Sequence, residues 1–339
     1  SAVRETGWMP QHLVLETQGK IVAVAPMYIK GHSQGEYVFD HSWADAYERA
    51  GGKYYPKLQL SVPFSPVTGP RFLCGSTDNH PHYAKLLAAG AKQIAVKYGL
   101  SSVHITFLPE EDLGPLAEND YHVRVGEQFH WQNQNYENFD DFLAQLSSRK
   151  RKAIRKERRS ENFEEFTFET LRGSEITATH WDAFFEFYID TGSRKWGMPY
   201  LNREFFNLIG NTLGDQIVLF LVKRGDRYIA GALNLLSSDC LYGRYWGCVE
   251  DHRFLHFETC YYRAIEFAIE NKLPRVEAGA QGPHKLARGY LPTKTYSAHW
   301  MQDPGFHDAV GSFLETETKH MDAELEYLGK LSPFRKDIP

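Results

Sequence analysis

Two stretches of the chain alternate apolar and polar residues in the same rhythm. In the first, His12–Thr17 (HLVLET) and Ile21–Ile29 read as strands joined by a tight turn at Gln18-Gly19-Lys20. A Gly/Ser turn at residues 31–35 then leads to GEYVFD, which reads as a third strand. In the second stretch, Gln216–Lys223 (QIVLFLVK), Tyr228–Leu236 (YIAGALNLL) and CLYGRYWG from Cys240 are three strands separated by Arg224-Gly225-Asp226 and Ser237-Ser238-Asp239. β-Branched and aromatic residues punctuated by Gly, Asp and Ser are what a half-buried meander requires. A helix follows each meander. The first is SWADAYERA, ended by Gly51-Gly52; in the second, Phe257, Cys260, Tyr261, Ala264, Ile265 and Ala268 share one face before Pro274 stops it. A strand follows each helix (YPKLQLSV; RVEAGA), and in the first half a further helix, Tyr83–Tyr98, feeds the strand SSVHITFL.

Meander, helix, strand, helix, strand is the succession of the GNAT acyltransferase fold. Its recurrence predicts an α/β (α+β) chain built as a tandem duplicated GNAT-like fold, with mixed sheets flanked by helices. The length of 339 residues also exceeds what one hydrophobic core usually holds. The first unit is expected at 1–135 and the second at 165–339. A connecting basic helix lies within 136–164, where Asn138–Asn162 reads as one helix with the apolar stripe Phe139, Phe142, Leu143 and Leu146. Because strand-like sequence begins by His12, the first unit is expected to lack its start. No Pro-rich or low-complexity linker divides the halves, so they are expected to pack together with a cleft between them.

Composition narrows the class. Charged residues at 24% and hydrophobic residues at 42% describe a globular protein, not a disordered one. No apolar run approaches the ~18 residues that span a bilayer. Cys74, Cys240, Cys248 and Cys260 form no C-x-x-C pair and no zinc-finger spacing, which points to reduced thiols in a cytoplasmic protein. The histidines are scattered, with no H-E-x-x-H, and neither metal nor cofactor is expected. A net charge of −5 argues against a general nucleic-acid binder, but residues 149–159 (RKRKAIRKERR) hold eight basic residues and one acid. At helical spacing Arg151, Arg155 and Arg158 fall on one face and Lys152, Lys156 and Arg159 on the next, an array able to neutralise several phosphates of an RNA.

The densest chemistry lies in Gly279–Trp300, GAQGPHKLARGYLPTKTYSAHW, just beyond the strand RVEA. Loops past the carboxyl end of a strand in an α/β sheet are where ligands sit, and glycines let backbone approach them. Lys285 is placed to meet an oxyanion or a departing oxygen, with Gln281, His284, Arg288 and, from the preceding strand, Tyr245 as substrate contacts. Glu258, at the start of the second-half helix, is the candidate general base for an attacking amine. In the first half Tyr54, Tyr55, Lys57, Arg71 and the acids Glu36 and Asp40 form an aromatic and charged cluster suited to an acceptor pocket, stiffened by Pro63, Pro66 and Pro70.

The segment YYRAIEFAIENKLPRVEAGAQGPHKLARGYLP resembles the acyltransferase module of FemAB-type proteins. TGWMPQHL, YIKGHSQGEYVFDHSWADAYERAG, YYPKLQLSVPFSPVTGPRFL and SSRKRKAIRKERR are similar to one subfamily of FemAB-like N-acyltransferases, and together these motifs span almost the whole chain. The resemblance implies a bacterial-type transferase. Its better-known relatives move an amino acid from aminoacyl-tRNA to an amine of a cell-wall precursor, and Lys285 matches the lysine that assists transfer there. The expected partners are therefore an aminoacyl-tRNA or other activated acyl donor and a peptide or amine acceptor. GNAT enzymes that use acyl-CoA hold its pyrophosphate on a glycine-rich turn before the helix. GCVEDHRFLHFET offers no glycine after Gly247 and carries Glu250, Asp251 and Glu258; DHSWADA in the first half also lacks glycine. Two alternatives stand beside aminoacyl transfer: an acyl-CoA-dependent N-acyltransferase of the same fold, and a non-catalytic module that binds RNA or peptide. The oligomeric state is not written in the sequence.

Overall fold

Residues 6–75, 78–194, 199–279 and 282–335 are described by a computed structural model. In chain order the first strands are β1 (Trp8–Pro10), β2 (Leu13–Thr17), β3 (Lys20–Ala25), β4 (Met27–Lys30), β5 (Lys57–Leu60), β6 (Leu73–Cys74), β7 (Ser102–Leu108) and β8 (His122–Gln132), with helices α1 (His41–Arg49), α2 (His80–Tyr98) and α3 (Leu113–Ala117) among them. There follow helices α4 (Phe139–Gln145) and α5 (Ser148–Glu157), strand β9 (Phe166–Arg172), and helices α6 (Ala178–Arg194) and α7 (Arg203–Leu213). Strands β10 (Ile217–Arg224), β11 (Arg227–Leu236) and β12 (Cys240–Cys248) lead to α8 (Leu255–Phe257), which runs through a π turn at Glu258–Tyr262 into α9 (Arg263–Glu270). Strands β13 (Arg275–Glu277) and β14 (Leu291–Met301) and helix α10 (Pro304–Lys330) complete the chain.

Two units result, one made of Ser1–Gln128 with Lys294–Tyr327, the other of Phe129–Thr293 with Leu328–Pro339. In the first, β1, β4 and β5 pair antiparallel, and β5 runs parallel to β7 from Leu58↔Val103 to Leu60↔Ile105. Strand β7 pairs antiparallel with β14. In the second, β9, β10, β11 and β12 pair antiparallel, β12 runs parallel to β13, and β13 pairs antiparallel with the end of β8. A parallel pair needs a crossover, and α2 and α8–α9 supply it. Each unit thus repeats one plan, antiparallel strands, a helix, a parallel strand and an antiparallel closing strand, which is the duplicated GNAT-like arrangement.

The cores follow the apolar pattern. Strand β7 is buried along its whole length, as a central strand covered on both faces must be. Ala84, Leu87, Ala88, Ala91 and Ala95 turn one face of α2 onto it, small residues that let the helix lie close. In the second unit Ile265, Phe267, Ala268 and Ile269 of α9 pack with Phe220, Val276, Leu286 and Tyr290. Trp181, Phe184, Phe187 and Phe206 of α6 and α7 cover Leu219, Leu221 and Leu233.

Three expected elements differ. GEYVFD is not a strand: Gly35 and Tyr37 have φ of 79° and 57°, and Glu36 and Asp40 turn inward to meet buried lysines. The third strand of the first unit's main sheet is β5, so the stretch 12–40 is not the counterpart of 216–247. Strands β2 and β3 instead pair with β6 in a separate three-stranded sheet. The helix expected over Asn138–Asn162 is broken at Leu146, whose extended backbone (ψ 151°) bridges Phe334; Ser147 then starts α5.

Close packing of α6 on β12 yields a first test. A Cβ on Gly247 would lie 2.4 Å from the Phe187 carbonyl oxygen and 2.5 Å from its carbon, both backbone atoms that cannot swing aside. Gly247→Ala should lower stability by about 1–3 kcal/mol, read as a fall in the denaturation midpoint. Gly31→Ala, where an added Cβ meets nothing within 4 Å, is the control.

Candidate active site

Strands β12 and β13 hold register only from Cys240↔Arg275 to Tyr242↔Glu277. Beyond that point β12 continues to Cys248, while the other chain turns away through Gly279 (φ 79°). One residue before the turn, Ala278 lines a cavity of about 90 Å³ with Gly243, Arg244, Tyr245, Trp246, His256, Cys260 and Tyr261. A bulge shapes the opposite wall. Leu233 pairs with Tyr245 and Asn234 with Gly243, so Arg244 is the extra residue and its side chain is re-aimed. Its Nη2 reaches the Tyr200 hydroxyl at 3.2 Å, which in turn bonds the Tyr245 hydroxyl at 2.6 Å.

The Gly-rich loop returns as a 3₁₀ turn, Pro283–Arg288, between Gly282 (φ 126°) and Gly289 (φ 91°). Gly289 is required there, because a Cβ would sit 2.7 Å from the Phe142 ring. This turn buries Lys285 to 2% exposure, where its Nζ donates to the Gly279 carbonyl at 3.0 Å. Burial, partly offset by the Cys260 thiol, brings its pKa down to about 8, so at neutral pH it is still a cation. Beside it the His284 ring meets the Tyr261 hydroxyl at 2.8 Å. Arg288 stacks 3.5 Å above the Phe257 ring and bonds both oxygens of Glu157. Of the expected residues Tyr245 lines the cavity, and His284 touches it through the Tyr261 hydroxyl; Lys285 and Arg288 are not among its lining. Gln281 lies outside the described residues. Arg244, Tyr200, His256, Tyr261, His130 and Glu277 were not singled out in the sequence; the one available signal was the acid inside the short apolar strand RVEA.

Glu258 is placed differently from a free base. It is 3% exposed, and Arg158 Nε and Nη2 hold its two oxygens at 2.9 Å each. Arg158 grips Glu266 in the same bidentate fashion, at 2.8 and 2.9 Å, and lies 4.3 Å from the Phe139 ring. Both groups are committed to joining α5 to the π turn, and Arg158 is withdrawn from the basic face. Arg155 pairs with Asp140 at 3.1 Å, and Arg151 reaches back to the Ala144 carbonyl. With Ile154 as the buried anchor of α5, the exposed cations are Arg149, Lys152, Arg155, Lys156 and Arg159. Of these, Arg149, Lys152 and Lys156 follow i, i+3, i+7 spacing along one face of the helix, and Arg159 lies just past its end.

The first-unit cluster is also brought together, as a buried ion network. Lys57, fully buried, donates to Ser33 Oγ (2.8 Å), Glu36 Oε2 (2.8 Å) and Asp40 Oδ2 (2.5 Å). Tyr54 donates to Asp40 at 2.7 Å, and Tyr55 meets Ser33 at 2.8 Å. Lys30 sits 3.4 Å from Glu36 Oε1 and 3.6 Å above the Trp8 ring. Lys57 beside Asp40 holds that carboxyl well below its usual range despite burial, whereas burial raises Glu36. Arg71 donates to the carbonyls of Val67, Gly69 and Thr106, fixing the proline-rich loop. Among the described residues no three His, Cys, Asp or Glu side chains gather as a metal-binding group, and no helix is long and apolar enough to cross a membrane.

Comparison with known proteins adds the following. The FemAB-like family, described as peptidoglycan biosynthesis/recognition, matches residues 1–336. The crystal structure of FemX superposes with a TM-score of 0.55 at 13% identity, covering 91% of this chain and 92% of that one. L-PGS from Bacillus licheniformis superposes with a TM-score of 0.56 at 12% identity, covering 90% and 89%. Identities this low speak to the fold. No curated protein matches the chain in sequence.

The Arg158 clamp is testable apart from catalysis. Arg158→Met removes the cation of Glu266 and leaves Glu258 only Arg263, 3.4 Å from its Oε1, and should cost about 3 kcal/mol, the low end for removing one partner of a buried pair because one cation stays. Arg155→Met, at an exposed pair, should change stability by less than about 1 kcal/mol. Equal denaturation midpoints for the two variants would show that the clamp carries no weight.

Proposed function

The chain belongs to the FemAB-like family and is an acyltransferase, and on that premise we propose that it transfers an aminoacyl group from aminoacyl-tRNA, or a related activated donor, to an amine on a peptide or cell-wall-type acceptor. The observation that carries this reading is Lys285: a buried cation beside a small cavity at the opening between two parallel strands. In aminolysis of an ester the amine's lone pair forms a C–N bond to the carbonyl carbon, charge builds on the carbonyl oxygen, and the C–O bond to the leaving group breaks. A fixed cation in a dry wall stabilises that charge far better than water does, because it needs no reorganisation as the charge appears. The proton left on nitrogen goes to the departing oxygen. No covalent enzyme intermediate is required.

The donor end is supported by two further observations. The loop before α8 holds Glu250 in ion pairs with Arg224 and His252, at 2.8 and 3.0 Å, where a pyrophosphate would need bare backbone N–H groups. Arg149, Lys152 and Lys156 on one face of α5, with Arg159 just past its end, offer a group of exposed cations, the form of site that follows a phosphate backbone. Within the candidate set, the roles of Tyr245, His284 and Arg288 in this reading are to shape the pocket around the aminoacyl group.

The reading is tested by incubating the protein with tRNA charged with a labelled amino acid and with an amine acceptor, and following label into amide. Transfer from acetyl-CoA under the same conditions, with none from charged tRNA, would overturn it. Lys285→Met should lower kcat by about 100- to 1000-fold with KM little changed, the usual cost of one oxyanion contact. Since Lys285 acts as its cation and titrates near pH 8, kcat should fall as pH rises through about 8. Lys285→Arg, whose charge persists, should hold its residual rate across that range.

Changing Arg149, Lys152, Lys156 and Arg159 to Gln should weaken tRNA binding and reduce the slope of log K against log salt by roughly 0.7–0.9 per lost contact. The fold, read by circular dichroism, should not change. Replacing Arg151 and Arg155 instead should have the smaller effect.

A further inference from the structure

The turn Pro283–Arg288 lies between β13 and β14 and is flanked by Gly282 and Gly289, both at positive φ. Glycine restrains the backbone least, so the turn needs side-chain anchors to stay in one place. Its own hydrogen bonds, from Lys285 N to the Gly282 carbonyl (3.0 Å) and from Gly289 N to the Leu286 carbonyl (3.2 Å), set its shape and not its position. Leu286 anchors it in the core that also holds Ile154 of α5. Arg288, 6% exposed, is the second anchor. Its Nη1 donates back to the His284 carbonyl at 2.9 Å, inside the turn, while Nη2 donates to both oxygens of Glu157, at 3.1 and 2.9 Å. Glu157 is the last residue of α5, and among the described residues it is the one acid paired with Arg288. The fully buried Tyr262 of the π turn donates its hydroxyl to the same carboxylate. The end of α5 is thus fastened to the turn by the charge of Glu157. Along the same helix stand the exposed Arg149, Lys152 and Lys156.

We infer that Glu157 is a positioning residue for the transfer: through Arg288 it fastens the turn that carries Lys285 to the cationic helix α5. This rests on the aminoacyl-transfer reading above and names what holds its cation in register with the helix on which the donor is proposed to lie. Glu157 exchanges no proton and bonds no substrate atom; it acts on where the Lys285 cation stands. Without it Arg288 is a buried cation facing one carbonyl and an aromatic ring, which is costly, and the guanidinium turns toward water. Lys285, three residues earlier in the same turn, shifts with it. Stabilising a forming oxyanion needs a cation fixed at the right place. A displaced one slows the transfer, while the cations that bind tRNA stay on α5.

The test uses the full chain and Glu157→Gln, which keeps the size and an acceptor oxygen for Tyr262 but loses the charge held against Arg288. Two quantities are read. Competitive labelling of lysines with acetic anhydride between about pH 7 and 11, followed by peptide mass spectrometry, reports the titration of Lys285 with no substrate present. In the wild type its midpoint should lie near 8. In Glu157→Gln the loosened turn lets water reach the ammonium, and the midpoint should rise by about one unit or more toward the ordinary 10.5. A contact that only stabilises the fold would lower the denaturation midpoint and leave the Lys285 titration where it was, and that result overturns the inference. With labelled aminoacyl-tRNA and an amine acceptor, kcat of the variant should fall about 10- to 100-fold while KM for the charged tRNA changes little. A wild-type kcat in Glu157→Gln overturns the inference and leaves the transfer reading intact. No amide from the wild-type protein overturns the transfer reading, and with it the part of Glu157 in it, whatever the labelling shows. Should Glu157→Gln fail to fold, Arg288→Gln breaks the same link from the turn's side: a rise of the same size in the Lys285 midpoint supports the inference, and an unmoved midpoint overturns it.

Discussion

The parallel pairing of β12 with β13 is the constraint on which the candidate site depends. Parallel neighbours cannot be joined by a hairpin, so the chain must cross over through α8–α9, and this lays the Cys260–Tyr261 face along the strand ends. The pairing then stops after three residue pairs. Where it stops, backbone hydrogen bonding no longer holds the two strands together, and a gap opens that side chains from both must line. Extending β13 by two residues would close that gap and leave the loop after Gly279 nowhere to return. Gly279, Gly282 and Gly289, all at positive φ, let the chain turn back sharply enough to bury Lys285 beside the opening.

Around this frame, buried charge separates into two kinds. Lys57, Arg158 and Arg71 are each surrounded by acceptors, two or more carboxylates or three carbonyls. These stabilise less than their contact distances suggest, because desolvation offsets much of the attraction, yet breaking one leaves an uncompensated charge. They lock irregular backbone in place: the bend at Gly35–Asp40, the junction of α5 with the π turn, and the proline loop. Lys285 and Glu277 differ. One has a carbonyl and a neighbouring thiol, the other an arginine and the Cys240 thiol.

That contrast marks what could be read from the sequence. The duplicated succession of strands and helices was legible because period-two and period-3.6 patterns report burial, and most of the expected strands of the second unit are found where they were placed. GEYVFD failed because alternation cannot tell an extended segment from one whose acids turn inward to a single lysine, Lys57, 21 and 17 residues further on. The helix over Asn138–Asn162 failed because its break at Leu146 is set by a bridge to Phe334, nearly two hundred residues away. Lys285 was singled out because glycines and a basic residue beyond a strand form a local signal, and its burial follows from the turn between Gly282 and Gly289. The basic run was visible as charge, but which cations face outward depends on Ile154, Glu258 and Glu266, which only the fold brings to α5. Glu277 was passed over because one acid in a three-residue strand carries no pattern.

Burial acts on Lys285 and Glu277 in opposite senses. It lowers the lysine from 10.5 to about 8 and raises the carboxyl above its ordinary 4.5. Under the proposed transfer the lysine is the needed cation only below its pKa. When ionised, each group carries the charge that the fold disfavours. For Lys285 the shift corresponds to about 3 kcal/mol of stability forgone while it is charged, since each unit is worth about 1.4 kcal/mol. Its sign is fixed by linkage: between the folded and unfolded pKa values the unfolded chain holds more protons, so stability rises with pH there and the cost is present in full below about 8. Glu277 behaves in the mirror sense, its cost growing as pH rises through its raised pKa. A scaffold held by ion clusters such as those of Lys57 and Arg158 can tolerate two such groups. Under the proposed transfer, the same dry surroundings that make the charge of Lys285 costly are what make it effective against a forming oxyanion.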